Sequence, residues 1–187
     1  ANAREIKELK QEVQELREDN LKLKGEVQAR EFQIMKLVAE REYELDRFKL
    51  LASVMDDDPA IAWVKRVEVL PSREIAFTMF YINPNYEKAY SVRLEKYKGK
   101  TDFDIWPLEI AEGYYRADLQ VYNNKTRRCA IENIPQHALK PIGRDNPVEP
   151  TFVCKWAIDL QNGDWAIGGR IIKDSPVVEA YKNGVAN

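Results

Sequence analysis

The sequence of 187 residues lacks the features of three common kinds of binding protein. It has one histidine and two cysteines, without the spacing of a zinc site. No apolar run approaches the roughly 18 residues that a membrane-spanning helix needs. With 29 basic and 31 acidic residues, no basic excess exists to bind nucleic-acid phosphates. Because no signal-peptide pattern opens the chain either, we expect a cytoplasmic protein that binds no metal, membrane or nucleic acid.

Proline, tryptophan and cysteine are missing from the first 55 residues, where charge is concentrated instead. This stretch holds 11 basic and 12 acidic residues and a single glycine. All nine prolines, all four tryptophans and both cysteines follow residue 58. We therefore predict two differently built parts and a tail: a coiled coil and signalling helix at 1–55, a folded domain at 56–174, and a short C-terminal tail at 175–187.

A heptad repeat occupies residues 6–27. Its a and d positions, separated by alternating gaps of three and four, are Ile6, Leu9, Val13, Leu16, Asn20, Leu23 and Val27. A seam this narrow is typical of a coiled coil, and an asparagine at an a position favours two strands in fixed register. We predict that these residues form the interface of a homodimer.

The charges beside this seam predict that the two helices run parallel. Acidic residues fill the g positions and basic residues the e positions five residues later, in the pairs Glu5–Lys10, Glu12–Arg17 and Asp19–Lys24. In a parallel dimer each g residue faces the partner's e residue, so every contact joins opposite charges. An antiparallel dimer would bring like charges together. The alternative is a solitary, solvated charged helix.

The repeat changes phase after Val27. Apolar residues resume at Ile34 after an insertion of four residues, a stutter, which locally unwinds a supercoil. The stutter either passes helix rotation between the parts or marks where the helices splay. Three aspartates at 56–58, followed by Pro59, predict a solvated end of the helix.

The second part predicts an α+β domain with one antiparallel sheet. Asn83-Pro84 and Pro107 begin two helices, and Asn162-Gly163 is a strong hairpin signal. Strands are predicted at 60–69, 75–82, 129–134, 151–160 and 165–172. A block of helices between runs of strands is typical of the α+β class.

Four segments of this part resemble the PAS family. They are the strand-to-helix junction at 82–89, the Gly-Lys-Thr-Asp-Phe-Asp segment within 99–107, Glu132 in the third strand, and the closing hairpin at 155–169. The resemblance covers about residues 50–173. It implies a PAS-like domain with one antiparallel five-stranded sheet and flanking helices, which would follow the long N-terminal coiled-coil helix predicted from the heptad repeat. One departure is the proline-rich loop at 135–150, and whether it packs over the sheet or acts as a lid stays open.

The resemblance also implies where a ligand would bind, namely between the helices and the sheet. The candidates for lining this pocket are Phe80, Trp106, Tyr115, Leu119, Tyr122 and Trp156. Tyr115, Leu119 and Tyr122 are the preferred pocket wall, because they share one helical face. The alternative for most of the set is that they form simple core.

Family members that bind haem usually use a histidine on the central helices, but the only histidine here is His137, in the loop. Light-sensing flavin members need a helical cysteine, which residues 111–122 lack. We therefore predict no cofactor, with haem and covalent flavin both disfavoured, while an unknown small molecule stays open. Cys129 and Cys154 fall on neighbouring strands and are expected to be free buried thiols, with a disulfide as the alternative.

These observations predict a non-catalytic dimeric signalling or sensor module. Its PAS-like domain would bind a small molecule or an effector protein and would couple to the N-terminal coiled coil. The sequence ends soon after this domain, so output is expected through the coiled coil or a partner. The alternative is a ligand-free dimerisation or adaptor protein. An enzyme would require a polar cavity that joins Cys154 to His137.

Overall fold

A computed structural model describes residues 2–161, 163–172 and 175–184. The chain divides into two compact units, Ala1–Leu51 and Ala52–Asn187. Helix α1, Ala3–Asp57, passes without interruption through the stutter and through the boundary between the units. The long N-terminal helix predicted from the sequence is therefore confirmed.

The first unit is helical because nothing in its sequence opposes a helix. Good helix formers dominate it, and pairs one turn apart, such as Arg4 and Glu8 at 3.0 Å, support it. At 55 residues, α1 is about 80 Å long. No residue of the described helix is buried, and the six apolar seam residues are 45% to 61% exposed. None of the described helices is both long and apolar enough to cross a membrane.

The second unit contains one antiparallel sheet, whose five described strands follow the order β2-β1-β5-β4-β3. The strands are β1 Ile61–Val69, β2 Ile75–Ile82, β3 Arg127–Pro135, β4 Val148–Asp159 and β5 Trp165–Ile172. The helices are α2 Pro84–Tyr90, α3 Leu94–Tyr97, α4 Leu108–Asn124 and α5 Pro176–Lys182, with a 3₁₀ turn at Asp102–Asp104. The predicted α+β class and five-stranded sheet are confirmed.

The sheet has an inner face toward the helices and an outer face. Trp63 and Lys65 on β1 and Lys155 on β4 line the inner side. Gly169 lies between Trp63 and Lys155 in the strand register. A Cβ atom there would collide with the Trp63 indole, so glycine makes room for that ring.

The proline-rich loop packs onto the core. Ala138 is buried in the main hydrophobic cluster. Its backbone N–H and that of Leu139 donate to the carbonyls of Tyr90 and Ile105, at 3.4 and 2.8 Å. The buried Asn146 side chain bonds both backbone groups of His137, at 2.8 and 2.9 Å. These contacts place the loop against α2 and the segment after the 3₁₀ turn.

The two cysteines form a disulfide, so the expectation of free thiols is wrong. Cys129 on β3 lies directly opposite Cys154 on β4 in the strand register. Their Cα atoms are 4.0 Å apart, which brings the side chains within bonding reach. The sequence placed them on neighbouring strands, but the register that makes them exact partners is a property of the folded sheet.

Candidate functional site

A small cavity lies between the inner face of the sheet and the helices of the second unit. Its lining comprises Trp63, Lys65, Tyr86, Tyr90, Asp102, Trp106, Tyr114, Glu132, Ile134, Lys155 and Ile171. It leaves about 20 Å³ for the centres of water molecules, which is room for one or two waters. Pockets for drug-sized ligands are typically about 300–1,000 Å³. A larger ligand would therefore have to displace side chains.

Ion pairs fill one side of this cavity. The Lys65 ammonium on β1 contacts Asp102 of the 3₁₀ turn and lies 2.7 Å from Oδ2 of Asp118 on α4. The Lys155 ammonium on β4 lies 3.0 Å from Oδ1 of the same aspartate, as an ion pair without hydrogen-bond geometry. Asp118 is fully buried and Lys155 is 1% exposed. One carboxylate thus separates two buried lysines.

The ion pairs continue toward the edge of the sheet. Lys155 Nζ is 3.3 Å from Glu132 Oε2, and Arg128 Nη1 is 3.1 Å from Glu132 Oε1. We call the set Lys65, Asp102, Asp118, Glu132, Lys155 and Arg128 the buried charge network, although Arg128, at its outer end, is partly exposed. It contains three positive and three negative groups. Its charges alternate in space, which is the arrangement that offsets the cost of removing them from water.

The network shifts the pKa values of Lys65 and Asp118. Burial alone would lower the pKa of Lys65, but the carboxylates of Asp102 and Asp118 outweigh it and hold that pKa above the usual range. Burial would raise the pKa of Asp118, yet the charges of Lys155 and Lys65 outweigh it and lower that pKa. Both groups are therefore charged near neutral pH.

An aromatic group adjoins the network. The Tyr97 hydroxyl donates to Asp102 Oδ1 at 2.6 Å, and Trp106 Nε1 donates to the Tyr97 oxygen at 3.0 Å. Two further polar atoms of the cavity wall, Trp63 Nε1 and the Tyr114 hydroxyl, have no hydrogen-bond partner among the described residues. Such buried groups are rare and are commonly satisfied by a water or a ligand.

Sequence reasoning did not identify this network as a site, although the signals for it were present. Lys65 occupies the same strand face as Trp63 and Val67, so it interrupts an otherwise apolar inward row. Asp118 lies seven residues after the buried Ala111 and four after Tyr114, on the inward face of α4. A charge on a buried face needs a partner, but the sequence pattern did not indicate which one.

The structure separates the six predicted pocket residues. Trp106 lines the cavity. Tyr115 instead lines a different surface pocket of about 310 Å³ beside Phe103 and donates its hydroxyl to the Ile75 carbonyl at 3.1 Å. Leu119 and Tyr122 pack against a second cluster of Phe77, Val121 and Ile167. Leu119 and Tyr122 therefore pack in the core, whereas Tyr114, on the neighbouring face of α4, lines the cavity.

Phe80 and Trp156 also lie outside the described lining of the cavity. The Phe80 ring contacts the guanidinium of Arg66 at 4.5 Å and the ammonium of Lys98 at 5.7 Å. Trp156 follows the inward Lys155, so strand alternation turns it to the outer face. There its indole covers Gly168, where a Cβ atom would collide with it.

The requirement for an enzyme, a cavity joining Cys154 to His137, is not met by the central cavity, since neither residue is among its described lining. Cys154 is on the outer side of β4 and is bonded to Cys129. No group of three metal-ligating side chains suited to a metal ion occurs in the part of the chain that the structure describes.

The C-terminal end of α1 is attached to the sheet through Asn83. This fully buried side chain donates to the carbonyls of Met55 and Ala60, at 3.1 and 2.7 Å. It accepts from the N–H groups of Ala62 and Tyr86, both at 3.1 Å. All four hydrogen-bonding positions of the amide are thus used. The predicted N-cap of α2 is confirmed. The same Asn83 side chain also holds the end of α1 next to the start of β1.

Two of the three aspartates predicted to be solvated also take part in this attachment. Asp56 accepts a hydrogen bond from the Tyr81 hydroxyl on β2. Asp58 accepts from the Ala60 N–H at 2.9 Å and pairs with Arg170 on β5 at 2.9 Å. Their carboxylates therefore join the end of α1 and the residue after it to β2 and β5.

The five-stranded antiparallel sheet and the position of the helices between β2 and β3 match the arrangement implied by the sequence resemblance. In this arrangement the second unit resembles a PAS domain. No family model matches the chain, and no curated protein matches its sequence. Solved structures that resemble it include the PAS domain of BvgS from Bordetella pertussis, with 16% identity, a TM-score of 0.49, and coverage of 74% of this chain and 95% of that one.

Two other similar structures are a PAS domain and a LOV protein. The PAS domain of an HTR-like protein from Haloarcula marismortui has 15% identity and a TM-score of 0.45, covering 72% of this chain and 99% of that one. The LOV protein of Rhodobacter sphaeroides has 13% identity and a TM-score of 0.47, covering 74% and 73%.

Proposed function

We propose that this chain is a non-catalytic, dimeric signalling module. Residues 56–174 sense a small molecule or a protein partner, and residues 1–55 pair with a second copy as a parallel coiled coil. The observation that carries the proposal is the attachment of the last turn of α1, and of Asp58 directly after it, to the PAS-like core through Asn83, Tyr81 and Arg170. A change in the sheet shifts these contacts and so acts directly on the end of α1.

The exposed seam of α1 supports pairing with a second copy. Six apolar side chains on one helical stripe are about half exposed, and association would remove them from water. The acidic and basic flanks favour a parallel arrangement, since each g residue then meets an opposite charge. Each exposed pair contributes only about 0.2–1 kcal/mol, so the apolar seam supplies the affinity and the charges supply the direction.

Replacing Leu23 by aspartate is expected to abolish the dimer, because two copies of the new carboxylate would face each other within the seam. We expect the dimer Kd, measured by sedimentation equilibrium of the full chain, to rise by at least about 100-fold. The matched control is Leu21→Asp, two residues away at a solvent-facing position and likewise exposed in the chain. A monomeric wild type, or equal effects of both substitutions, would contradict the proposed interface.

The alternative is a ligand-free adaptor, and the small cavity favours it. Because the cavity leaves only about 20 Å³ for the centres of water molecules and ion pairs line its wall, the core accepts a larger molecule only after rearrangement. Native mass spectrometry of the freshly purified full chain separates the two functions. Added mass that disappears under denaturing conditions supports a sensor with a retained ligand, whereas the bare polypeptide mass supports the adaptor.

A further inference from the structure

We propose that the Cys129–Cys154 disulfide is a site of thiol–disulfide exchange, at which a dithiol reductant opens the covalent link between β3 and β4. The two cysteines lie directly opposite each other on adjacent strands. β3 is an edge strand of the sheet, so among the described strands it pairs with β4 alone. The link therefore holds an edge strand.

The two sulfur atoms differ in access. Cys129 is exposed, whereas Cys154 is 2% exposed. A thiolate of the reductant attacks the Cys129 sulfur, the Cys129–Cys154 bond breaks, and Cys154 leaves as a thiolate that takes up a proton. The second thiol of the reductant then attacks the mixed disulfide and releases Cys129. The protein disulfide gains two electrons and two protons, and the dithiol is oxidised to a disulfide.

The disulfide adjoins the outer end of the buried charge network. Arg128 and Lys155, the next residues along the two strands, also face each other in the register. Like charges directly opposite on a sheet are destabilising, and here both contact Glu132 on β3. When the disulfide opens, β3 loses its covalent link to β4 and is held by hydrogen bonds, these ion pairs and the packing of Ile134 in the main hydrophobic cluster. Reduction is thus expected to loosen β3 and to weaken the contact of Glu132 with Lys155.

The consequence depends on where the protein is located. Disulfides persist in oxidising compartments and are transient in the reducing cytosol. In the cytoplasmic location expected from the sequence, this disulfide would therefore report the thiol redox state to the core of the PAS-like unit. The proposal holds whether or not the chain forms a dimer, because it depends on contacts within the second unit alone.

The test treats the full wild-type chain with dithiothreitol without denaturant, blocks thiols with iodoacetamide, and counts modified cysteines by mass spectrometry. We expect both cysteines to be modified. Hydrogen exchange on the same samples is expected to quicken by roughly 10- to 100-fold at β3 amides. Amides of β1 and β2 are expected to keep their rates, because those strands lie at the other end of the sheet.

The double variant Cys129→Ala/Cys154→Ala serves as the control. It is expected to show the fast β3 exchange without reductant and no further response to dithiothreitol. If that variant does not fold, the comparison of oxidised and reduced wild type still decides the matter. A disulfide that resists dithiothreitol until denaturant is added would overturn the proposal. So would reduction that leaves β3 exchange unchanged, or reduction that exposes β1 and β2 equally.

Discussion

Replacing Asp118 by alanine is expected to lower the free energy of unfolding of the second unit by about 3–5 kcal/mol. This carboxylate stands between Lys65 and Lys155, with contacts of 2.7 and 3.0 Å. Without it, two buried ammonium groups are left near each other with Asp102 and Glu132 alone to balance them. Removing one partner of a buried ion pair costs more than the pair contributed, because the remaining charge stays out of water.

Urea denaturation of the full chain, followed by tryptophan fluorescence, measures this loss. The matched control is Glu112→Ala on the same helix, where the side chain is exposed and a change within about 0.5 kcal/mol is expected. Similar midpoints for the two variants would show that the buried charge network contributes little to stability.

Acid provides a second measurement on the same carboxylate, with Asp118→Asn as the comparison. The pKa of Asp118 is lower in the folded chain than its ordinary value, so the folded state binds its proton less readily than the unfolded state. Its contribution is therefore present above the ordinary aspartate pKa of about 3.9 and is lost as the pH falls through the folded value. We expect wild-type stability to fall more steeply with acid than that of Asp118→Asn, and parallel curves would count against this role.

Replacing Asn83 by alanine is expected to lower the free energy of unfolding by about 3 kcal/mol, because four backbone groups lose a buried partner. The carbonyls of Met55 and Ala60 and the N–H groups of Ala62 and Tyr86 all bond this one amide. The loss affects three segments together: the end of α1, the start of β1 and the start of α2.

Hydrogen exchange distinguishes loss of attachment from general weakening in this variant. Amides of Ala62 and Tyr86 are expected to lose protection before those of the central strand β5. The control is Asn85→Ala, which removes one bond, to the Asp58 carbonyl at 2.9 Å, and is expected to cost about 1 kcal/mol. If both variants lose the same stability, Asn83 does not have the joining role that the structure indicates.

The Asn83 variant also bears on signalling. The seam residues lie far along α1 from this attachment, so the substitution is expected to leave dimerisation intact. In Asn83→Ala, we expect the chain to pair but the proposed coupling to fail. In Leu23→Asp, we expect the PAS-like unit to fold but the pairing to be lost. The two variants therefore address separate halves of the proposed function.

Local sequence patterns predicted the elements well. The bounds of β2 and β5 match the predicted 75–82 and 165–172, because short apolar runs and the turns beside them are local signals. Asn83-Pro84 predicted the start of α2, since capping involves residues only a few positions apart. Local patterns also predicted the fold class. The charges at the e and g positions beside the seam predicted the direction of the proposed helix pairing.

The candidate site was predicted only in part, for a physical reason. Of the predicted pocket residues, Trp106 lines the cavity, and the buried ions around it were missed as a site. Lys65 lies 37 residues from Asp102 and 53 from Asp118, so no period or motif connects them. Apolar patterning identifies inward faces, but it does not explain why Lys65 lies on such a face. That residue is stable there because carboxylates distant in the sequence pair with it.

Composition and periodicity were sufficient to define a long charged helix, a five-stranded α+β domain and the heptad seam proposed to pair with a second copy, because each depends on neighbours within about two turns or one strand. The disulfide, the buried charge network and the fourfold bonding of Asn83 required the folded sheet. Its register places Cys129 opposite Cys154 and brings Lys65 and Lys155 to one aspartate. Contacts between residues distant in the chain are set when strands and helices pack, and at that stage a charged side chain acquires the partner that makes its burial stable.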